Sequence, residues 1–101
     1  MLKAVFFKEN ECFTGFSISG HAGYGTEGND IVCAAITSAV ELTCNTVTEF
    51  FGATAKVDVF ENEVRLTLKE QHEPSQQLLA SLCAHIEYIA AEHKKIKLEV
   101  K

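Results

Sequence analysis

An apolar and aromatic segment near the N-terminus runs from Leu2 to Lys8 with the sequence LKAVFFK. Its side chains fall on both sides of an extended chain, with Ala4 and Phe6 on one side and Val5 and Phe7 on the other. Because successive strand residues point to opposite faces, this pattern predicts a β-strand covered on both faces. One covered sheet face would not account for all of this apolar area. We therefore expect a second subunit on the other face, in a homodimer.

Four further strands are predicted from the alternation of apolar and polar residues: Cys12 to Ser19, Thr54 to Phe60, Val64 to Lys69 and Ile96 to Val100. Turns at Asn10-Glu11 and at Glu61-Asn62 join the first four strands into two hairpins. In the second hairpin Val57 and Val59 alternate with polar residues, which predicts one buried face that includes both valines.

Two amphipathic helices are predicted between the strands. The first is capped by Asn29 or Asp30 and ends at Gly52. Its buried stripe has helical spacing and consists of Ile36, Val40, Cys44, Val47 and Phe51. The second helix has Pro74 in its first turn, and its stripe consists of Leu78, Leu82, Ile86 and Ile89. The order strand, strand, helix, strand, strand, helix, strand predicts an α+β fold, with two helices packed on a mainly antiparallel sheet.

Length and composition narrow the class of protein. The 101 residues predict a single domain over residues 1–101. No continuous apolar run approaches the roughly 20 residues of a membrane span, and no secretory signal is recognisable, so we expect a cytoplasmic protein without a membrane partner. Nine Lys and Arg against 14 Asp and Glu give a net charge of −5, which argues against direct nucleic-acid binding and favours a basic partner.

The four cysteines are expected to be reduced thiols, because the chain has neither a secretion signal nor paired short spacings. A zinc site is not expected, because no Cys-x-x-Cys or His-x-x-x-His pair occurs. No metal and no other cofactor is therefore predicted.

The segment Gly20 to Ala35, with the sequence GHAGYGTEGNDIVCAA, combines a histidine, a glycine-rich loop, a helix start and a cysteine. Its glycines predict a mobile loop. With Asp30 as the cap, Cys33 occupies the third helical position. The unpaired N–H groups of a helix start favour a thiolate, and an imidazole such as that of His21 can hold its proton. The segment therefore outlines a thiol active site.

Each of these residues also has a simpler structural interpretation. Cys33 could be a small buried apolar residue, as most free cysteines are, and His21 could be an exposed histidine without a role. Asp30 could act only as the helix cap or could also orient the imidazole. Thr37 lies one turn after Cys33, so its hydroxyl could face the site or could bond to a helix carbonyl.

Two parts of this segment, Gly20-His21-Ala22 and Gly28-Asn29-Asp30-Ile31-Val32-Cys33-Ala34-Ala35, resemble the signature of the Prp family of ribosomal-processing cysteine proteases. The resemblance implies that Cys33 is the nucleophile, His21 the general base and Asp30 a supporting residue. Relatives often carry Ser where this chain has Thr37, which retains the hydroxyl.

Members of that family are small bacterial homodimers. By resemblance, the substrate is a peptide at the N-terminus of ribosomal large-subunit protein twenty-seven, whose extension is removed at an aromatic-rich site during ribosome assembly. The substrate loop would include Gly23, Tyr24, Gly25 and Gly28. Two alternatives remain open from the sequence: a non-catalytic dimeric ribosome-assembly module with a redox-sensitive cysteine, and a thiol hydrolase of small amides.

Overall fold

A computed structural model of the chain describes residues 1–20 and 31–101. Within these ranges the elements, in chain order, are β1 (Leu2–Glu9), β2 (Cys12–Gly20), α1 (Ile31–Asn45), β3 (Ala55–Phe60), β4 (Glu63–Leu68), α2 (Glu73–Ala90) and β5 (Ile96–Val100). The predicted order of five strands and two helices is confirmed, and with it the α+β class.

The five strands form one mixed sheet in the order β3-β4-β2-β1-β5. Three of the four neighbouring pairs are antiparallel, and only β5 runs parallel to its neighbour β1. The parallel pairing follows from the connection, because α2 carries the chain across the sheet before β5 begins. The prediction of a mainly antiparallel sheet is confirmed.

The first hairpin turns at the predicted residues. Asn10 and Glu11 have positive φ angles of 53° and 68°, as the central residues of a two-residue hairpin turn require. The register of the hairpin shifts between Phe7 and Lys8, where Phe7 faces Gly15 and Lys8 faces Phe13. Because this leaves one extra residue in β2, the strand bulges at that point.

The core lies between the two helices and one face of the sheet. Its fully buried members come from both layers: Ala4, Phe6, Phe16 and Leu66 from strands, and Ile36, Val47, Leu79 and Ile86 from the helical segments. Two elongated apolar faces are thereby removed from water, and this burial is the main favourable term in the folding of such a domain.

The opposite face of the sheet, which no helix in the described part of the chain covers, is largely polar. Val5 is only 8% exposed although it lies on this face, between Ser17 on β2 and Glu99 on β5. Coverage of β1 on both faces is therefore confirmed for Val5 within one chain, and the homodimer stays a prediction.

The carboxyl group of Glu99 on this face is held in its charged form. A hydrogen bond from Lys97 and the charge of Lys3 lower its pKa.

The predicted stripe of the first helical segment is buried as far as Val47, but the prediction was wrong for Phe51, which is 39% exposed. The α-helix ends at Asn45, and a π-helical turn follows over Thr46–Phe50. In that turn the Phe51 N–H donates to the Thr46 carbonyl at 2.8 Å, five residues back. The wider turn breaks the 3.6-residue period, so Phe51 leaves the buried stripe. Gly52, with a φ of 62°, ends the segment as predicted.

The segment Ile31–Phe50 is long and apolar enough to cross a membrane by length and composition, which counting continuous apolar runs did not indicate. One side of this segment packs in the core. Val32, Ile36 and Val40 are buried against the sheet, while polar residues such as Glu41 occupy the exposed side. The exposed side also carries apolar residues, since Ile31, Leu42 and Phe50 are largely exposed.

Helix α2 begins near the predicted Pro74, with His72 as its N-cap. The His72 Nδ1 accepts a hydrogen bond from the Ser75 N–H at 3.3 Å, which pairs one of the free N–H groups of the first turn. The buried stripe of α2 is rotated relative to the predicted stripe. Its buried residues are Ser75, Leu79, Leu82 and Ile86. Leu78 and Ile89 are only partly buried at its edges, because they flank the line of contact with the sheet.

The second hairpin forms as predicted, but its apolar face is not fully buried. Val57 is partly buried, and Val59 is 73% exposed although the prediction placed it in the core. Both valines lie on β3, the outermost strand on that side of the sheet. No helix in the described part of the chain extends over Val59, so its side of β3 remains open.

The bulge in β2 is held by one side chain of α2. Gln76 accepts from the Phe13 N–H at 2.6 Å and donates to the Phe13 carbonyl at 2.7 Å. We expect Gln76→Leu to lower the free energy of unfolding by about 1–3 kcal/mol, because two partly buried backbone groups lose their partner. Urea unfolding measures this change.

Gln77→Leu is the matched control. Gln77 is the next residue of the same helix and bonds only to the exposed Glu73 among the described residues, at 3.0 Å. Its replacement should change stability by less than about 0.5 kcal/mol. Equal losses in the two variants would contradict the role assigned to Gln76.

Candidate functional site

Cys33 is the third residue of α1, the position that the sequence predicts. Its side chain is half-buried, packs against the edge of the core, and also lines an open pocket. A helix begins with N–H groups that lack partners within the helix. The thiol therefore lies within one helical turn of such donors, on a surface that a substrate can reach.

The pocket beside Cys33 has a volume of about 260 Å³. One wall is a stripe of α1 with a spacing of four residues, formed by Cys33, Thr37 and Glu41. The opposite wall is the end of the second hairpin, and the residues it contributes are Val59, Phe60, Glu61, Asn62, Glu63 and Val64. The exposed Thr37 side of the helix thus faces the same space as Cys33.

Gly20, the last residue of β2, also lines this pocket. Its φ is 79°, and a Cβ atom here would collide with the carbonyl oxygen of Met1. The Gly20 N–H donates to the Asn62 carbonyl at 3.0 Å, so the strand end is attached to the second hairpin. Because a side chain at position 20 would collide with the Met1 carbonyl oxygen, only glycine fits at this point of the pocket that Cys33 also lines.

A second pocket continues the first along α1. It is lined by Glu41, Cys44, Asn45, Val57, Val59 and Val64, and also has a volume of about 260 Å³. Glu41, Val59 and Val64 belong to both pockets. The two pockets therefore form one groove between α1 and the second hairpin, which we call the α1–β3 groove, with Cys33 near one end.

Most of the other predicted site residues lie outside the described residues. These are His21, Asp30, Gly23, Tyr24, Gly25 and Gly28, all between positions 21 and 30. Their predicted roles stay predictions. Within residues 1–20 and 31–101, the structure brings Thr37 to Cys33 along one helix face.

The other three cysteines differ from Cys33 in their surroundings. Burial and the charge of Glu41 raise the pKa of Cys44 to about 11. Burial, followed by the charge of Glu87, also raises the pKa of Cys83. Cys12 is partly exposed and accepts a hydrogen bond from Gln71 at 3.4 Å, far from the groove on the first hairpin. All four cysteines are free thiols.

Among the described residues, no group of three or more His, Cys, Asp or Glu side chains is placed to hold a metal ion. The prediction of a site without a cofactor depends on the whole chain and stays a prediction. Of the histidines in these ranges, His72 caps α2 and His85 is exposed on that helix.

Sequence reasoning missed the second hairpin as part of the site. Spacing alone could have found Glu41, because it lies two helical turns after Cys33 on the same stripe. Nothing in the sequence near Val59 or Asn62 points to Cys33, because the contact joins segments that are separated by more than 20 residues.

An α+β domain with a half-buried thiol near a helix start and an open groove beside it is typical of a thiol hydrolase. A family model described as cysteine protease Prp matches residues 1–97. The chain therefore belongs to the Prp family and is a cysteine protease.

Solved structures agree with this fold. The ribosomal processing protease Prp of Staphylococcus aureus, with a covalently linked product peptide, matches with a TM-score of 0.93 at 20% identity, over 100% of both chains. The same protease with a substrate peptide matches at 0.87 and 19% identity, again over 100% of both chains. A Streptococcus mutans protein matches at 0.79 and 23%, over 100% of this chain and 96% of the other. Among curated proteins, no sequence matches.

The four thiols should differ in their reaction with iodoacetamide. At pH 7.5 we expect Cys33 to be alkylated first, because it is reachable from the groove and near a helix start. Cys44 should react last in the folded protein, because its pKa of about 11 keeps it protonated until the pH approaches that value. Peptide mass spectrometry of timed samples gives the four rates. Faster modification of Cys44 than of Cys33 would contradict this order.

Proposed function

We propose that this protein is the endopeptidase that removes the N-terminal extension of ribosomal large-subunit protein twenty-seven during ribosome assembly. The observation that carries the proposal is the position of Cys33 at the head of α1, at one end of an open groove. Membership in the Prp family supports peptide hydrolysis. The substrate itself is inferred from the resemblance of the Gly20–Ala35 segment to that family.

The shape of the groove supports a peptide rather than a small amide as substrate. The two adjoining pockets extend along α1 from Cys33 to Asn45, about 18 Å at 1.5 Å per helical residue. An extended peptide of about five residues covers that length at 3.3 Å per residue. The solved Staphylococcus aureus protease of the same fold holds a substrate peptide in one structure and a product peptide in another.

In the proposed mechanism, the Cys33 thiolate attacks the scissile carbonyl carbon and forms a tetrahedral intermediate. The imidazolium of His21 protonates the leaving amine as the C–N bond breaks, which leaves a thioester on Cys33. Neutral His21 then removes a proton from water, and the resulting attack releases the acid and regenerates the thiolate.

Other residues support these steps in the proposal. In this proposal, Asp30 would cap α1 and orient the imidazole of His21. Backbone N–H groups at the start of α1 stabilise the oxyanion, and the hydroxyl of Thr37 lies beside the bound peptide. The predicted substrate loop, which includes Gly23, Tyr24, Gly25 and Gly28, would open to admit the peptide and close over it.

The setting of the reaction is also part of the proposal. We place the protein in the cytoplasm as a homodimer, where a chain of net charge −5 attracts a basic ribosomal protein and repels RNA. Phe7 is the partly exposed apolar residue of β1 on the polar sheet face, which makes it a candidate for the subunit contact.

Replacing the proposed nucleophile tests the function directly. Cys33→Ala should abolish cleavage of a peptide that spans the extension boundary, because it removes the thiol that forms the thioester in the proposed mechanism. Its urea midpoint should stay close to that of the native chain, since Cys33 is only half-buried. Cys83→Ala is the matched control and should cleave at the native rate. Cleavage by a folded Cys33→Ala variant would remove the proposed mechanism.

The proposed role of His21 is tested by measuring turnover and substrate binding separately. His21→Ala should lower kcat by at least about 100-fold, the usual contribution of a general acid-base group, while KM changes little. Steady-state kinetics with the same peptide measures both constants, and His85→Ala serves as the control. An unchanged kcat with a raised KM would show that His21 binds substrate instead.

A further inference from the structure

The α1–β3 groove has an apolar floor that no other part of the described chain covers. Val57, Val59 and Val64 line its far section, and Val59 is 73% exposed. An exposed β-branched residue that sits in a concave surface next to a catalytic thiol is placed to contact a bound chain. A groove with this floor favours apolar contacts along the occupant.

One charged residue belongs to both sections of the groove. Glu41 lies on α1 between Thr37 and Asn45 and lines both sections. Burial and, second to it, the Glu41 charge raise the pKa of Cys44, three residues along the same helix. Among the described residues, no Lys, Arg or His forms an ion pair with Glu41. Its carboxylate therefore stands at the groove without a cationic partner from these parts of the chain.

The charges that surround Glu41 favour a basic occupant. Of the described residues that line the groove, Glu41, Glu61 and Glu63 are acidic and none is Lys or Arg. Glu63 is engaged elsewhere, since its carboxylate accepts from Ser17 at 2.7 Å and pairs with Arg65 at 2.9 Å. Glu41 is thus the carboxylate that both sections of the groove share and that remains for a ligand.

The position of Glu41 along the helix sets a distance from the reacting bond. Eight residues separate it from Cys33, which is about 12 Å along the helix axis at 1.5 Å per residue. An extended peptide advances about 3.3 Å per residue. A side chain that meets Glu41 therefore belongs to a residue about four positions from the scissile bond.

We propose that the α1–β3 groove selects peptides with a Lys or Arg about four residues to one side of the scissile bond, and that Glu41 is the specificity-determining residue. This inference rests on the proposed peptidase function. The basic side chain pairs with Glu41 while the neighbouring residues contact Val57, Val59 and Val64. Because Glu41 lies far from the reacting atoms, its contribution falls on KM rather than on kcat.

A positional series of peptides tests the proposal. Each fluorescent peptide spans the extension boundary and carries one lysine at one position within six residues of the scissile bond, or norleucine there as the uncharged control. Cleavage by the native chain is measured alongside binding to Cys33→Ala. We expect one preferred position about four residues away, with kcat/KM two- to fivefold above norleucine, the range of a partly exposed ion pair. The preference should shrink in high salt.

Variants assign the preference to one residue. Glu41→Gln should make the lysine and norleucine peptides equal, and Glu41→Lys should favour a glutamate at the same position. Glu49→Gln removes an exposed carboxylate of the following π-helical turn, outside the lining residues of the groove, and should keep the native preference. Val59→Thr should raise KM for every peptide alike, and Val100→Thr, on the far edge of the sheet, should not.

The outcomes separate this inference from the function on which it rests. Cleavage without a preferred lysine position, or a preference that survives Glu41→Gln, overturns the assignment of Glu41 and leaves the peptidase intact. Lysine-dependent binding to Cys33→Ala without cleavage by the native chain supports the subsite and overturns the proposed reaction.

Discussion

The packing of two helices on one face of a five-stranded sheet is the constraint on which the other features of this molecule depend. Ile36 and Val47 from the first helical segment and Leu79 and Ile86 from α2 are fully buried against this face. The buried face requires α1 to lie close to the sheet, and this contact also places its first turn, with Cys33, at the edge of the core.

The same packing explains why a groove exists beside the thiol. The helices bury the middle of the sheet, as the exclusion of Phe6 and Phe16 from solvent indicates, but Val59 on the outer strand stays largely exposed. A helix has a rounded surface, so the space between its side and an uncovered strand is concave. The groove is therefore a consequence of incomplete coverage, and its apolar floor is the part of the sheet that the helices leave open.

The electrostatic arrangement follows the two faces of the sheet. The face without helices carries most of the strand cations, where Glu99 pairs with three lysines at 3.2 to 3.9 Å. The described lining of the groove has carboxylates and no Lys or Arg. The described groove lining is therefore acidic, which is compatible with a basic peptide as the occupant.

The sequence by itself determined the order of the five strands and two α-helices, the turn at Asn10-Glu11, the end of the first helical segment at Gly52 and the position of Cys33 in α1. Each depends on neighbours within a few residues, through strand alternation, helical spacing and turn chemistry. Only the tertiary structure decided that Phe51 leaves the core, that Val59 stays exposed and that Glu41 faces the second hairpin. The exposure of Val59 and the position of Glu41 depend on how far each helix extends over the sheet, which is set by contacts between segments distant in sequence. Phe51 leaves the core because the π-helical turn breaks the helical period.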